Sequence, residues 1–233
     1  MKRSTLFSVL TLVVLIPATL FLGTHLKGRW YYLTSTLVIL EAMLPFFLTF
    51  EARRPQAREL VILAVMAALS VAGRVAIPIP DFKAITGTVM ITGMAFGPQA
   101  GFMTGAISAF ASNFFYSQGP WTPWQMLSYG MGGFLAGLLF YGKTCQKPWL
   151  DAAGKAVFAF FAVILAVGPL LDACTVFTTG AKISWRFAFA VLAAGFPHNV
   201  IHGLSCAVTV LVLCKPLLTK LNRLKTKYGM LQS

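Results

Sequence analysis

The chain has 233 residues, 58% of them hydrophobic and 11% charged, with a mean hydropathy of +0.77. A soluble protein would carry about a quarter charged residues, and a bilayer's hydrocarbon core of about 30 Å takes roughly 20 apolar residues per helix, so this composition describes a membrane protein with no room for a separate soluble domain. That excludes a Rossmann or P-loop module and a nucleic-acid-binding domain, although the net charge is +13; loop lysines and arginines that set membrane topology account for the basic balance.

Apolar stretches run from Thr5 to Leu22, Tyr31 to Phe50, Glu59 to Ile77, Ala84 to Phe96, Ala100 to Ser117, Trp124 to Tyr141, Gly154 to Leu171 and Phe187 to Cys214. They predict eight helices. The opening Met1-Lys2-Arg3 and its apolar run have the look of a signal peptide, but no small-residue cleavage site follows and a second span comes almost at once, so it reads as a retained helix. The first two helices form a prefix, and EARRPQAR (residues 51–58) is the linker to a six-helix core. The domains are thus 1–56 and 57–233, the second ending in a basic tail. The fourth stretch is too short to span upright at 1.5 Å per residue, which predicts a half-buried helix or one lengthened by Pro78 to Lys83. With both termini on the cytoplasmic side, thirteen Lys and Arg lie inside; Lys27, Arg29, Arg74, Lys83, Lys182 and Arg186 lie outside. This asymmetry favours that orientation and an even helix count.

Glu41 is the only acidic residue deep in an apolar span, and no partner for it is visible in its own segment. Ala64, Ala68 and Ala72 recur every four residues and suit either internal packing or a partner's helix; Gly101, Gly105 and Ala109 repeat that spacing and read as packing. SNFFYSQGPWTPWQM, Ser112 to Met126, joins two helices on the outer side with Asn113, Tyr116, Gln118, Trp121, Trp124 and Gln125 around two prolines. Aromatic residues collect at membrane interfaces for lipid reasons alone. The added amides also suit the wall or lid of a pocket for an apolar-bodied, hydrogen-bonding ligand.

The last helix carries AAGFPHNVIHG, with His198, Asn199 and His202 after Pro197. Proline there removes a backbone donor and predicts a kink or opening near Ala193. The two histidines lie one turn apart as metal ligands would, yet no third ligand is near, so substrate contacts or interhelical hydrogen bonds are the better reading. Around the outer mouth, Arg74, Asp81, Lys83, Asp172, Lys182 and Arg186 could meet an anionic or polar solute, with solvated loop charges the commoner explanation. Cys145, Cys174, Cys206 and Cys214 form no CxxC and imply no disulfide framework. Walker A, GxSxG and paired-carboxylate patterns are missing, which argues against an enzyme, and no cofactor is expected.

The stretch from Ala57 to about Leu213, above all FKAITGTVMITGMAFGPQAGFMTGAISAFASNFFYSQGPWTPWQM (Phe82 to Met126), resembles the substrate-binding S subunits of energy-coupling factor (ECF) vitamin transporters. Among their subtypes it looks most like the cobalamin-type subunits. The resemblance covers the six-helix core; the two-helix prefix is additional to the usual pattern. It implies an all-α integral membrane protein that captures a vitamin on the outer side and associates with a transmembrane coupling protein and two ATPases. It further implies a pocket drawn from Phe82, Lys83, Asn113, Tyr116, Gln118, Trp121, Gln125, His198, Asn199 and His202, and a partner interface at Ala64, Ala68 and Ala72. The leading ligand is cobalamin or a corrinoid, with either histidine near the cobalt. A self-sufficient carrier or channel, or a membrane scaffold that binds no small molecule, are the rival readings.

Overall fold

A computed structural model describes residues 10–25, 30–143, 148–179 and 184–229. Lys2, Arg3, Lys27, Arg29, Cys145, Lys147 and Lys182, which entered the topology and cysteine arguments, lie outside the described residues. The described chain is all-helical, in eight rods. In the prefix, α1 covers 11–25 and α2 is Trp30–Ala52; the core holds α3 (Ala57–Val75), α4 (Ile85–Phe96), α5 (Pro98–Tyr116), α6 (Thr122–Phe140), α7 (148–178) and α8 (Trp185–Lys227). Leu33–Ala52, Trp149–Thr178 and Trp185–Lys227 are each long and apolar enough to cross a membrane.

The short α4 is the centre of the bundle. All twelve of its residues are buried, so it is neither half-exposed nor lengthened by Pro78 to Lys83, which stay non-helical. At 1.5 Å per residue it covers about 18 Å, well short of the hydrocarbon thickness. Its Ile85, Met90, Ile91 and Met94 meet Val163 and Val167 of α7, Tyr129 and Ala136 of α6, and Cys206, Val210 and Cys214 of α8.

Glycine backbones set how closely α4, α5 and α6 approach. A Cβ on Gly93 would sit 2.1 Å from the Gly133 carbonyl oxygen, and one on Gly101 2.4 Å from the same atom. At Gly105 it would lie 2.5 Å from the Tyr129 oxygen. Gly101 and Gly105 therefore act in internal packing, as their spacing suggests, with Ala109 fully buried beside them. Main chains in direct contact maximise dispersion where lipid supplies no hydrophobic drive between helices.

Two rods contain irregular turns. In α7 a π-helical turn, Val163–Val167, stands between Pro148–Ala162 and Gly168–Thr178; Pro169 just beyond it cannot donate a backbone hydrogen bond, a common reason for such a turn. Ser128 of α6 donates to the Val167 carbonyl at 2.7 Å. By contrast α8 stays helical through Pro197 and Pro216 and continues to Lys227, so the described basic tail is the last part of a 43-residue helix.

The prefix packs on the core. Ile39 and Met43 of α2 join Phe102, Ala106, Trp124, Leu127 and Cys174 in one apolar cluster, and Phe46 stacks on Phe102 at 4.0 Å while meeting Phe134 edge-on at 5.1 Å. Glu41 does have a partner, on the neighbouring helix: the Thr19 hydroxyl donates to its carboxylate at 2.6 Å. In the linker, Arg53 donates to the Phe96 carbonyl at 3.2 Å and pairs with Glu59, which ties residues 53–59 to the end of α4.

Replacing Gly133 with Val would drive a branched side chain into the Gly101 main chain. Overpacking of this kind costs roughly 1–3 kcal/mol or more. Gly133→Val is expected to lower the thermal midpoint of the detergent-purified protein sharply or abolish its monodisperse peak, measured by size exclusion and differential scanning fluorimetry; a midpoint equal to the native one would refute the backbone contact.

Candidate functional site

At the end of the bundle that carries the 117–121 turn, a cavity of about 400 Å³ opens among α3, the loop before α4, the α5–α6 turn, α7 and α8. Two of its lining residues, Arg74 and Lys83, are cationic. Arg74, at the end of α3, is buried, and no carboxylate among the described residues neutralises it. Instead its guanidinium donates to Ser112 and, at 2.9 Å, to the Asn113 side-chain oxygen, and lies 4.7 Å from the centroid of the Tyr116 ring and 5.8 Å from that of Tyr129. A buried cation held only by neutral acceptors and ring faces keeps most of its charge available to an incoming group. Reading Arg74 as a solvated loop charge is therefore corrected. Its carbonyl accepts from the Tyr116 hydroxyl at 2.9 Å, closing the contact from both sides.

Lys83 is the second cation, with its ammonium 5.8 Å from the centroid of the Tyr116 ring and donating to the Ile77 carbonyl. Ser205 of α8 fixes the Lys83 backbone by donating to its carbonyl at 2.8 Å.

Two further lining residues, Asp81 and Asp172, are acidic. Asp81 adopts a positive φ of 57° and meets His198 Nδ1 at 2.6 Å. Both stand at the open mouth, with side chains 38% and 65% exposed respectively. The Asn199 amide donates to Asp172 of α7 at 2.7 Å. Two glycines make room for that pair: a Cβ on Gly168 would lie 2.4 Å from the Asn199 amide carbon, and one on Gly195 2.2 Å from an Asp172 carboxylate oxygen. Deeper down, His202 Nε2 bonds the Thr86 hydroxyl at 2.8 Å and its ring meets Tyr129 edge-on at 6.0 Å.

Of the residues singled out in the sequence, Lys83, Tyr116, Trp121, Gln125, His198, Asn199 and His202 line the cavity. Phe82, Asn113 and Gln118 are not among its lining residues. Asn113 is wholly buried, and besides accepting from Arg74 it donates to the Thr122 hydroxyl at 3.0 Å and the Gln125 oxygen at 2.8 Å. Gln118 braces the turn, donating to the Phe110 carbonyl and accepting from Thr122, both at 2.9 Å. A Cβ at Gly119 would fall 2.5 Å from the Trp121 ring, so this glycine lets the indole fold back over the turn. Arg74, Asp81, Tyr129, Asp172 and Thr175 add to the polar lining. Tyr129 hides in the middle of an apolar helix, and Asp172, grouped in the sequence with the mouth charges, is given room by Gly195 of α8.

A second surface lies on the flank. Ala64, Ala68 and Ala72 are exposed and form, with Ile107, Ala111 and Phe115 of α5, an apolar groove of about 500 Å³. Their small side chains therefore face away from the core.

A family model described as "ECF-type riboflavin transporter, S component" matches residues 55–219. The chain belongs to this family. The match starts in the linker, takes in every residue that lines the cavity, and leaves α1 and α2 outside it. No curated protein and no solved structure matches the chain. As an ECF-type S component the molecule is a transport subunit, and the absence of catalytic motifs accords with that class.

Asn113→Ala removes one of Arg74's two side-chain acceptors and is expected to destabilise the unliganded protein by about 1–3 kcal/mol. Trp121→Ala, at the half-exposed rim, is expected to leave the thermal midpoint within a degree or two while weakening whatever ligand fills the cavity. Fluorimetry on both purified variants checks the contrast; equal midpoints would remove Asn113 from its positioning role.

Proposed function

We propose that this chain is the substrate-capture subunit of an ATP-driven vitamin importer, taking its solute into the cavity from the outer face. The observation that carries the reading is the mixture of charges that lines that cavity. Arg74, Lys83, Asp81 and Asp172 all line it, and each is held by neutral groups or a histidine, not by a residue of opposite charge among the four. Such a site favours a ligand whose rim both donates and accepts hydrogen bonds, and a channel or scaffold has no evident use for a buried arginine, Arg74, held only by neutral acceptors. ATP hydrolysis falls to partner ATPases, reached through a transmembrane coupling protein.

For the ligand, the geometry favours a corrinoid such as cobalamin. Its rim of amides matches a mixed cationic and acidic lining. His198 at the mouth uses Nδ1 on Asp81, which leaves Nε2 for a metal; a carboxylate behind a histidine is the usual device for orienting and strengthening such a ligand. A cavity of about 400 Å³ would take only one edge of so large a molecule, the rest lying at the open mouth. The second reading is riboflavin, favoured by the printed family description and by that volume, which lies within the usual range for sites that enclose small ligands.

Mass spectrometry of the protein purified from its native membrane, followed by titration with hydroxocobalamin and with riboflavin, separates the two. A stoichiometric corrinoid whose cobalt absorption shifts on binding, with the shift lost in His198→Ala, is the expected result. Bound riboflavin would keep the importer and overturn the corrinoid. No saturable binding of either, or uptake in vesicles lacking every ATPase partner, would count against capture.

The groove at Ala64, Ala68 and Ala72 is the proposed seat of the coupling protein's helix, because small residues allow close helix approach. Ala68→Leu is expected to prevent co-purification with the coupling module while ligand affinity stays native; normal assembly of that variant would remove the groove from the interface.

A further inference from the structure

At the end of the bundle opposite the vitamin cavity, a second cavity of about 360 Å³ lies between the ends of α4, α6, α7 and α8, lined by Met94, Phe140, Tyr141, Leu218 and Asn222 together with three lysines, Lys143, Lys155 and Lys225. Lys225 is buried, yet its ammonium is met by a neutral group, the Ala95 carbonyl. It also lies 5.3 Å from the centroid of the Phe96 ring and 5.1 Å from that of Tyr141. Lys155 is buried as well and pairs with Asp151 one turn earlier in α7. Lys143 stands exposed on the rim. Glu59, the other carboxylate within electrostatic reach of Lys225, is engaged by Arg53.

The cavity thus gathers three cations against the single carboxylate of Asp151 and keeps two of them out of water. Leaving an ammonium buried without a counter-ion is costly, and an anion entering the cavity would relieve that cost. The apolar part of the lining, Met94, Phe140 and Leu218, would suit the glycerol and first methylenes of a lipid whose phosphate reaches the ammonium groups.

We propose that this cavity is a binding site for an organic phosphate anion, supplied by the headgroup of an anionic phospholipid. The site is independent of the vitamin reading: it shares no lining residue with the first cavity. Basic pockets between membrane helices are suited to such headgroups, and each lysine near an anionic lipid contributes about a fivefold change in affinity.

The test uses the full chain, delipidated in a neutral detergent and titrated with phosphatidylglycerol, phosphatidylcholine or inorganic phosphate. Binding is read by native mass spectrometry and thermal midpoint. Phosphatidylglycerol is expected to bind saturably and raise the midpoint, phosphatidylcholine to bind at least tenfold more weakly, and Lys143→Gln to weaken phosphatidylglycerol about fivefold with vitamin binding unchanged. Lys225→Gln, which loses a buried contact, serves only if its unliganded midpoint shows it folded; it should then lose the lipid more completely. Saturable binding of inorganic phosphate that competes with phosphatidylglycerol would support the anion site and assign it to a soluble phosphate. Equal retention of the two lipids, with no change in Lys143→Gln, would overturn the proposal.

Discussion

The approach of three glycine-lined main chains determines the rest of the bundle. Because Gly93, Gly101 and Gly133 leave no side chain between α4, α5 and α6, these helices lie nearer to one another than ordinary side chains would allow. That closeness lets a twelve-residue helix occupy the centre without touching lipid. It also holds the ends of α5 and α6 together, so the short 117–121 turn can join them and bring Asn113 against Thr122 and Gln125. The polar network at the mouth is therefore a consequence of backbone contact deeper in the bundle.

Above that contact, one cation organises the cavity. Arg74 leaves α3 and ends against Ser112 and Asn113 of α5, with the Tyr116 and Tyr129 rings on its faces. It joins the first core helix to the hairpin of α5 and α6 and supplies the site with charge at the same time. Residues that would pass for ligand contacts in a linear reading, Asn113 and Gln118, are spent on holding this arrangement. What lines the cavity is what they hold.

Helix number was legible in the sequence, because it depends on local hydropathy, whereas the four-residue alanine repeat left packing and a partner's helix open until the fold showed Ala64, Ala68 and Ala72 exposed. Six of the cavity-lining side chains stand out in the sequence as amides, aromatics or histidines against an apolar background, and Lys83 as a loop cation. Arg74 was seen but misread: its partners are 38 and 39 positions away, and nothing local distinguishes a buried arginine from one in water. Asp172 was placed at the mouth as well, but its seat against Asn199 depends on Gly195 of α8, which has meaning only once α7 and α8 are side by side. Glu41's partner on α1 belongs to this class as well. The short α4 shows the opposite effect, where a correct reading of length led to the wrong expectation about exposure, because a helix packed among α3, α5, α6 and α8 need not reach either membrane surface.

The length of α8 has a mechanical consequence. Forty-three residues at 1.5 Å each make a rod of about 65 Å, against about 40–45 Å for a bilayer with its headgroups, so the rod must lean or project into water at one end. His198, Asn199 and His202 stand on its first half and Lys225 near its last turn, roughly 40 Å away at the same rise. A small rocking of the rod about its middle would shift both ends in opposite senses, so one helix gives the two faces of the membrane a shared lever arm.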